Sequence, residues 1–519
     1  MLRRRRFLFV AVASGLAAVL TACGGSGSPS TSSASGEPVA GGHGRILMLG
    51  EPRSLDPAAL GNAYAINAAV GNALYGTLMT DDDSGKIQFS MAESFTTADN
   101  GATFELKLRP DLVFSDGAPL NAAAVKFNWD RLKNPANGAT SLAQASVAAS
   151  TEVVDDLTLK VTMVTPMPRY AGSVITSSMN WIASPAVLEK GTEAFDKAPI
   201  GAGPFTLKSW TRQASIELAK NPRYWDAPKP YLDTLTLRTL ADTNQRFNTV
   251  LSGTADAAAE SSWQNFSKAE EQGLALGRQN VNGGLFLTMN SRRAPFDDPR
   301  ARRAIAAALD LDALNLAVYN GLGKPVETLF TEGSPFYSNI PLRKVDKAAA
   351  QRLFDELAAA GKPVSFTFSA FPSTENRAMA ENVQAQLSTF DNVKVNIEPL
   401  DQSRLGELYS KRDFDMVTLS SFFYDPDPVL STVFDGSSPS NLSGINDPEL
   451  NEALQAGRTA TSDEERGKAY ETVQRRLADQ VPVVFITRVA LGAIGGQNVG
   501  GIRLYGNGSL LPEELWISK

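Results

Sequence analysis

One cysteine and one histidine bound the side-chain chemistry open to this chain of 519 residues. Cys23 closes the run Leu20-Thr21-Ala22-Cys23, a small residue ahead of a thiol at the end of an apolar stretch. That is the pattern at which a thiol receives a diacylglycerol and the peptide is cut in front of it. Acyl chains at Cys23 hold a protein at a membrane surface. His43 stands beside a stretch rich in Gly, Ser, Thr and Pro and reads as solvated. With no second histidine and no cysteine beyond residue 23, the body cannot build a Ser-His-Asp triad, a Cys-His pair or a histidine-rich metal site. Carboxylate-only chemistry is left. No enzymatic activity, metal or cofactor is therefore expected.

The segment that presents Cys23 reads as an export signal. Arg3 to Arg6 form a basic start and Phe7 to Leu20 an apolar run too short to anchor in a bilayer. Arg4-Arg5-Arg6-Phe7-Leu8 also resembles the twin-arginine motif, and a plain basic start explains it equally well, so the export route stays open. Residues 1–22 are the expected signal peptide and 23–42 a flexible tether. Four of the 49 basic residues lie in the leader, against 56 acidic residues in the whole chain, so the remainder carries about −11. An acidic surface repels phosphate backbones, which argues against nucleic acid as a partner. The length allows two or three domains with real cores. With a single cysteine, those cores must hold without internal disulfides.

From Arg45 onward strands and helices alternate. Phe104 to Arg109 switches between apolar and charged residues at every step, the mark of a half-buried strand. Leu157 to Met163, Val364 to Phe368 and Val393 to Ile397 repeat the period, and Val481 to Ile486 reads as a buried strand. Helix starts carry their own signals: Asp298 before Pro299, Asp346 before residues 347–360, and the capping box Ser462-Asp463-Glu464-Glu465. The pattern predicts an α/β body with mixed sheets.

Several blocks, in a common order from about His43 to Arg488, resemble the extracytoplasmic solute-binding proteins of the peptide, oligopeptide and nickel class of ABC importers (family 5). They are Ser54-Leu55-Asp56-Pro57; Phe104 to Leu132 with its Phe114-Ser115-Asp116-Gly117-Ala118-Pro119-Leu120 turn; Pro199 to Phe205; Asn221 to Trp225 with Tyr231-Leu232-Asp233; Ser252 to Asp256; and Asn290 to Asp310. Ala122-Ala123-Ala124-Val125 lacks the two acids usual at the start of its helix, a change read as drift in a cap. The resemblance implies a two-lobed periplasmic-binding-protein-like fold with mixed sheets and an enlarged first lobe. Lobe I would hold 43–285 and 490–519, and lobe II 286–489. Leu285 to Asn290 would be the first crossing and Val481 to Val489 the return. A ligand would sit between the lobes and closure would trap it. The implied partners are a small solute, a peptide first among them, and ABC permease subunits. The implied place is the outer face of the cell membrane, held by Cys23. A receptor without transport on the same fold, or an importer component for oligosaccharides or metal chelates, are the alternatives.

The resemblance also nominates ligand contacts. Peptide binders of the family hold the α-amino group with an aspartate a few residues before an Asp-Pro or Glu-Pro pair. Here Asp425-Pro426 fits the pair and Ser421, Phe422, Phe423 and Tyr424 precede it, with no acid at the usual place. Tyr424-Asp425-Pro426 is similar to the nickel-chelate binders instead. Phe422, Phe423 and Tyr424 would stack on a ring or a side chain, or else fill core. Asp425 would face the ligand, or else cap the following turn. By position in the family, Leu60, Asn62 and Tyr64, Asn180 and Trp181, and Phe371 at the end of a lobe II strand join the candidate cleft.

Overall fold

The computed structural model describes residues 36–62, 67–82, 85–400, 408 and 410–518. Cys23, Tyr64, the signal peptide and most of the tether lie outside the described residues. Among those described, no helix is long and apolar enough to cross a membrane.

Three sheets organise the described chain. The largest has seven strands, in the order Ala275–Asn280, Ala490–Gly495, Ala257–Glu260, His43–Met48, Thr234–Thr239, Ser215–Lys220 and Phe205–Thr211. His43–Met48 runs parallel to both its neighbours and the outer pairs are antiparallel, so the sheet is mixed. A four-stranded antiparallel sheet, Ala92–Thr96, Thr103–Leu108, Thr158–Met163 and Ala148–Val153, extends this half. Its alternating strand Thr103–Leu108 buries Phe104, Leu106 and Leu108 and exposes Glu105 and Lys107. Phe104 stacks on Phe95, whose ring meets Trp129 edge-on.

The second half is built on a five-stranded mixed sheet: Val393–Pro399, Val364–Ala370, Met416–Phe423, Asn282–Met289 and Val483–Thr487. The chain passes between the two large sheets at Val281 and again at Arg488-Val489. The first passage falls earlier than expected, because Gly283 and Gly284 already pair as strand residues, opposite Phe422 and Ser421. Both have positive φ, and a Cβ on Gly283 would lie 2.1 Å from the Ser421 carbonyl oxygen. Only glycine allows the neighbouring strand so close.

The expected helix starts are present. Asp298 accepts from the Arg300 amide, Asp346 from Ala349 and Ser462 from Glu465. Asn121 caps helix Ala122–Lys133 in place of the missing acids. The turns of the family-like blocks do scaffold work. Asp56 caps Pro57–Leu60 and is gripped by Arg131, while Ser54 and the Leu55 amide donate to Asp196. Gly201 and Gly203 lie against the backbone of helix Ala68–Tyr75, where a Cβ would come within 2.2 and 2.5 Å of carbonyl oxygens.

Candidate functional site

One cavity lies where the halves meet, and a second adjoins it within the second half. The smaller, about 220 Å³, takes Thr243 and Ser261 to Gln264 from the seven-stranded half. From the other half it takes Leu285, Tyr319, Glu375, Ser420 and Phe422, and Thr487 to Val489 come from the return crossing. The larger, about 420 Å³, shares Leu285 and Ser420, which face each other in the strand register, and continues along the second half past Phe371, Asn376, Thr418, Phe434 and Leu442. The volumes and the mixture of aromatic and polar lining suit a small solute.

Arg488 fixes the crossing. Its guanidinium donates to the carbonyls of Gly283 (2.8 Å), Leu329 (2.8 Å), Thr328 (2.6 Å) and Phe330 (3.2 Å), tying the return strand to the first crossing and to the loop beside it. Burial without a carboxylate partner pulls its pKa down to about 10. Trp263 donates from Nε1 to the Arg488 carbonyl at 2.8 Å, so the seven-stranded half is bonded to the same residue.

Of the residues nominated from sequence, Phe371 and Phe422 line these cavities. Phe423 cannot share that role with Phe422. Successive strand side chains point to opposite faces, and Phe423 is fully buried with its ring against Phe330. Leu60, Asn180 and Trp181 are enclosed in the first half. Asn180 accepts from the amides of Leu78 and Met79 and donates to the Met79 carbonyl; Trp181 donates to Asn72 Oδ1 at 2.9 Å. Asn62 is spent on the Ile175 carbonyl, Tyr505 and Ser509. Tyr424 sits against Gly85 across the junction, and its carbonyl accepts from Asn282.

Asp425 is occupied. Arg466, 3 % exposed, donates to both its oxygens at 2.8 and 2.6 Å, and Oδ1 also accepts from the Asp427 amide, the turn-capping role. Burial lowers the Arg466 pKa, and the bonds and charge of Asp425 more than reverse this, leaving it raised. Arg458 donates one bond from Nε to Asp427 Oδ1 at 2.9 Å; burial raises the Asp427 carboxyl and Arg458 opposes the rise. No carboxylate of this loop is left to meet a ligand ammonium. The sequence reading missed Trp263, Tyr319, Ser420, Arg488 and Glu375. Glu375 follows the nominated Phe371 closely, and its place in the first turn of helix Thr374–Leu387 was the available signal.

The architecture is the mixed α/β two-lobed fold of periplasmic binding proteins. The chain belongs to the bacterial extracellular solute-binding proteins, family 5, whose middle region matches residues 86–441. It is a solute-binding protein of the ABC importer class, and its relatives are substrate-binding proteins, not enzymes. It is 27 % identical over 481 residues to the glutathione-binding protein GsiB of Pectobacterium atrosepticum, covering 89 % of this chain and 92 % of that one. Among solved structures, the binding protein AgaA of A. tumefaciens R10 in complex with agropinic acid is 26 % identical with a TM-score of 0.78, over 92 % of this chain and 99 % of AgaA. DppA of Helicobacter pylori in complex with the peptide STSA has a TM-score of 0.79 at 21 % identity, over 93 % and 99 % of the two chains, and shares the fold.

Proposed function

We propose that this chain is the lipid-anchored receptor of an ABC importer, that it holds a short peptide between lobes hinged at Val281 and Arg488-Val489, and that it delivers this ligand to a membrane permease. The observation that carries the reading is the cavity walled by Trp263 on one half and Phe422 on the other. Aromatic faces on both sides of a hinge give a ligand differential contact with the closed state. Peptide-like ligands of relatives, glutathione for GsiB and STSA for DppA, support the choice. Cys23 at the close of a signal-like run, followed by a polar tether, supports the anchor.

A thermal-shift screen against pooled peptides, oligosaccharides and metal chelates tests the ligand. A clear rise in Tm with peptides is expected, and a response to sugars or chelates alone would overturn the peptide. For the anchor, Cys23→Ser is expected to move the exported protein from the detergent phase to the aqueous phase of a cloud-point partition. Unchanged partition would count against lipidation.

A further inference from the structure

Glu375 is the one carboxylate that reaches the smaller cavity without a partner: among the described residues it makes no hydrogen bond and no ion pair, while it lines the space between the halves. Behind the Ser261–Ser262 wall of that space lies the buried Glu260, whose oxygens are taken by the amides of Ser261 and Ser262 and by Asn265 Nδ2. The cations nearby are committed elsewhere. Arg488 is spent on backbone carbonyls, and Arg278 and Lys324 lie over the Trp263 ring and do not line the cavity. Glu375 is solvent-exposed in this open space, and its carboxyl is raised above its ordinary value, first by partial desolvation and then by the charge of Glu260. A positive ligand group placed there would relieve both terms.

The adjoining cavity repeats the theme in neutral form. Thr288 and Thr418, 1 % and 6 % exposed, line it with hydroxyls that have no partner, and so does Asn376 with an unpartnered amide oxygen. Among the described residues, the two cavities thus offer a carboxylate, an amide oxygen, hydroxyls that donate or accept, and aromatic faces, and no uncommitted cation. The carboxylate and the amide oxygen favour a ligand that brings donors.

We propose that Glu375 is the cation anchor of the ligand site, taking an ammonium or guanidinium against Phe422, in the role that Asp425 is prevented from filling by Arg466. The inference rests on the ligand lying between the lobes. It is tested on the full-length exported protein, wild type and Glu375→Gln, with Glu375→Asp as the charge-conserving control. The probes are a pool of tripeptides free of Lys, Arg and His, the same pool acetylated at the N-terminus, and agmatine. The free pool is expected to raise the wild-type Tm. About tenfold more of it should be needed with Glu375→Gln, and about tenfold more of the acetylated pool with wild type, with Glu375→Asp in between. If the free pool binds and neither acetylation nor Glu375→Gln changes the midpoint by more than about twofold, the cation anchor is overturned while the peptide reading stands. If neither pool acts on the wild type, the peptide reading falls and agmatine decides: a Tm rise lost in Glu375→Gln upholds the anchor, and no such rise overturns it.

Discussion

Replacing either member of the Asp425–Arg466 pair separates a scaffold aspartate from a ligand-binding one. Asp425→Asn leaves the Arg466 guanidinium, 3 % exposed, without its anionic partner beside the rings of Phe336 and Tyr470. Breaking a buried pair from one side costs about 3–5 kcal/mol. Arg466→Met leaves Asp425 instead, whose side chain is 29 % exposed and can rehydrate, so its cost falls to about 2–3 kcal/mol. The double variant removes both orphans, so its cost should be below the sum of the singles by about 2 kcal/mol or more. Urea unfolding followed by circular dichroism is the assay, because all six tryptophans lie outside residues 282–489 and fluorescence would report the wrong half. Ligand titration of the same variants completes the test. The reasoning is refuted if Asp425→Asn shifts stability by less than about 0.5 kcal/mol yet weakens ligand binding more than about tenfold. Asp425 would then be a ligand group and the Arg466 bonds incidental.

Three further outcomes follow from buried groups. Glu513 is 6 % exposed, its Oε2 has no partner, and burial lifts its carboxyl from an ordinary 4.5 to about 7. The folded state holds this proton more tightly than the unfolded chain, so stability falls as pH rises from about 4.5 and the loss is complete above about 7. Glu513→Gln should therefore gain about 2–3 kcal/mol at pH 8 and little at pH 5; equal gains at both pH values would sink the assignment. Gly203→Ala should cost about 3 kcal/mol or more, read as a lowered Tm, because its Cβ would press on the backbone of Ala73 and Leu74. Trp181→Phe should cost about 1–2 kcal/mol through the lost bond to Asn72, with ligand midpoints unchanged; a shifted midpoint would return Trp181 to the site.

What the chain's residues disclose in order is what is decided within a few positions. A cap is such a decision, so Asp298, Asp346 and Ser462 were readable one by one. Strand alternation is another, and it already separates Phe422 from Phe423 once Met416–Phe423 is taken as a single strand; nominating both ignored that period. The early passage at Val281 escaped because two glycines carry no alternation to read, although they are strand residues. The ligand site fails to be legible for a different reason. A carboxylate is available only if no cation has claimed it, and the claimant of Asp425 is Arg466, on a helix 41 residues later. Nothing near Asp425 distinguishes it from an open acid, and the helix-start position of Glu375 does not say that no cation meets it. The choice between them is made by the packing of helix Asp463–Gln480 against the loop, which places an arginine on one acid and none on the other. With Glu375 proposed as the anchor, the placement of counter-charges is the feature that would set ligand charge in this cleft. It can change without disturbing any motif that carries the fold.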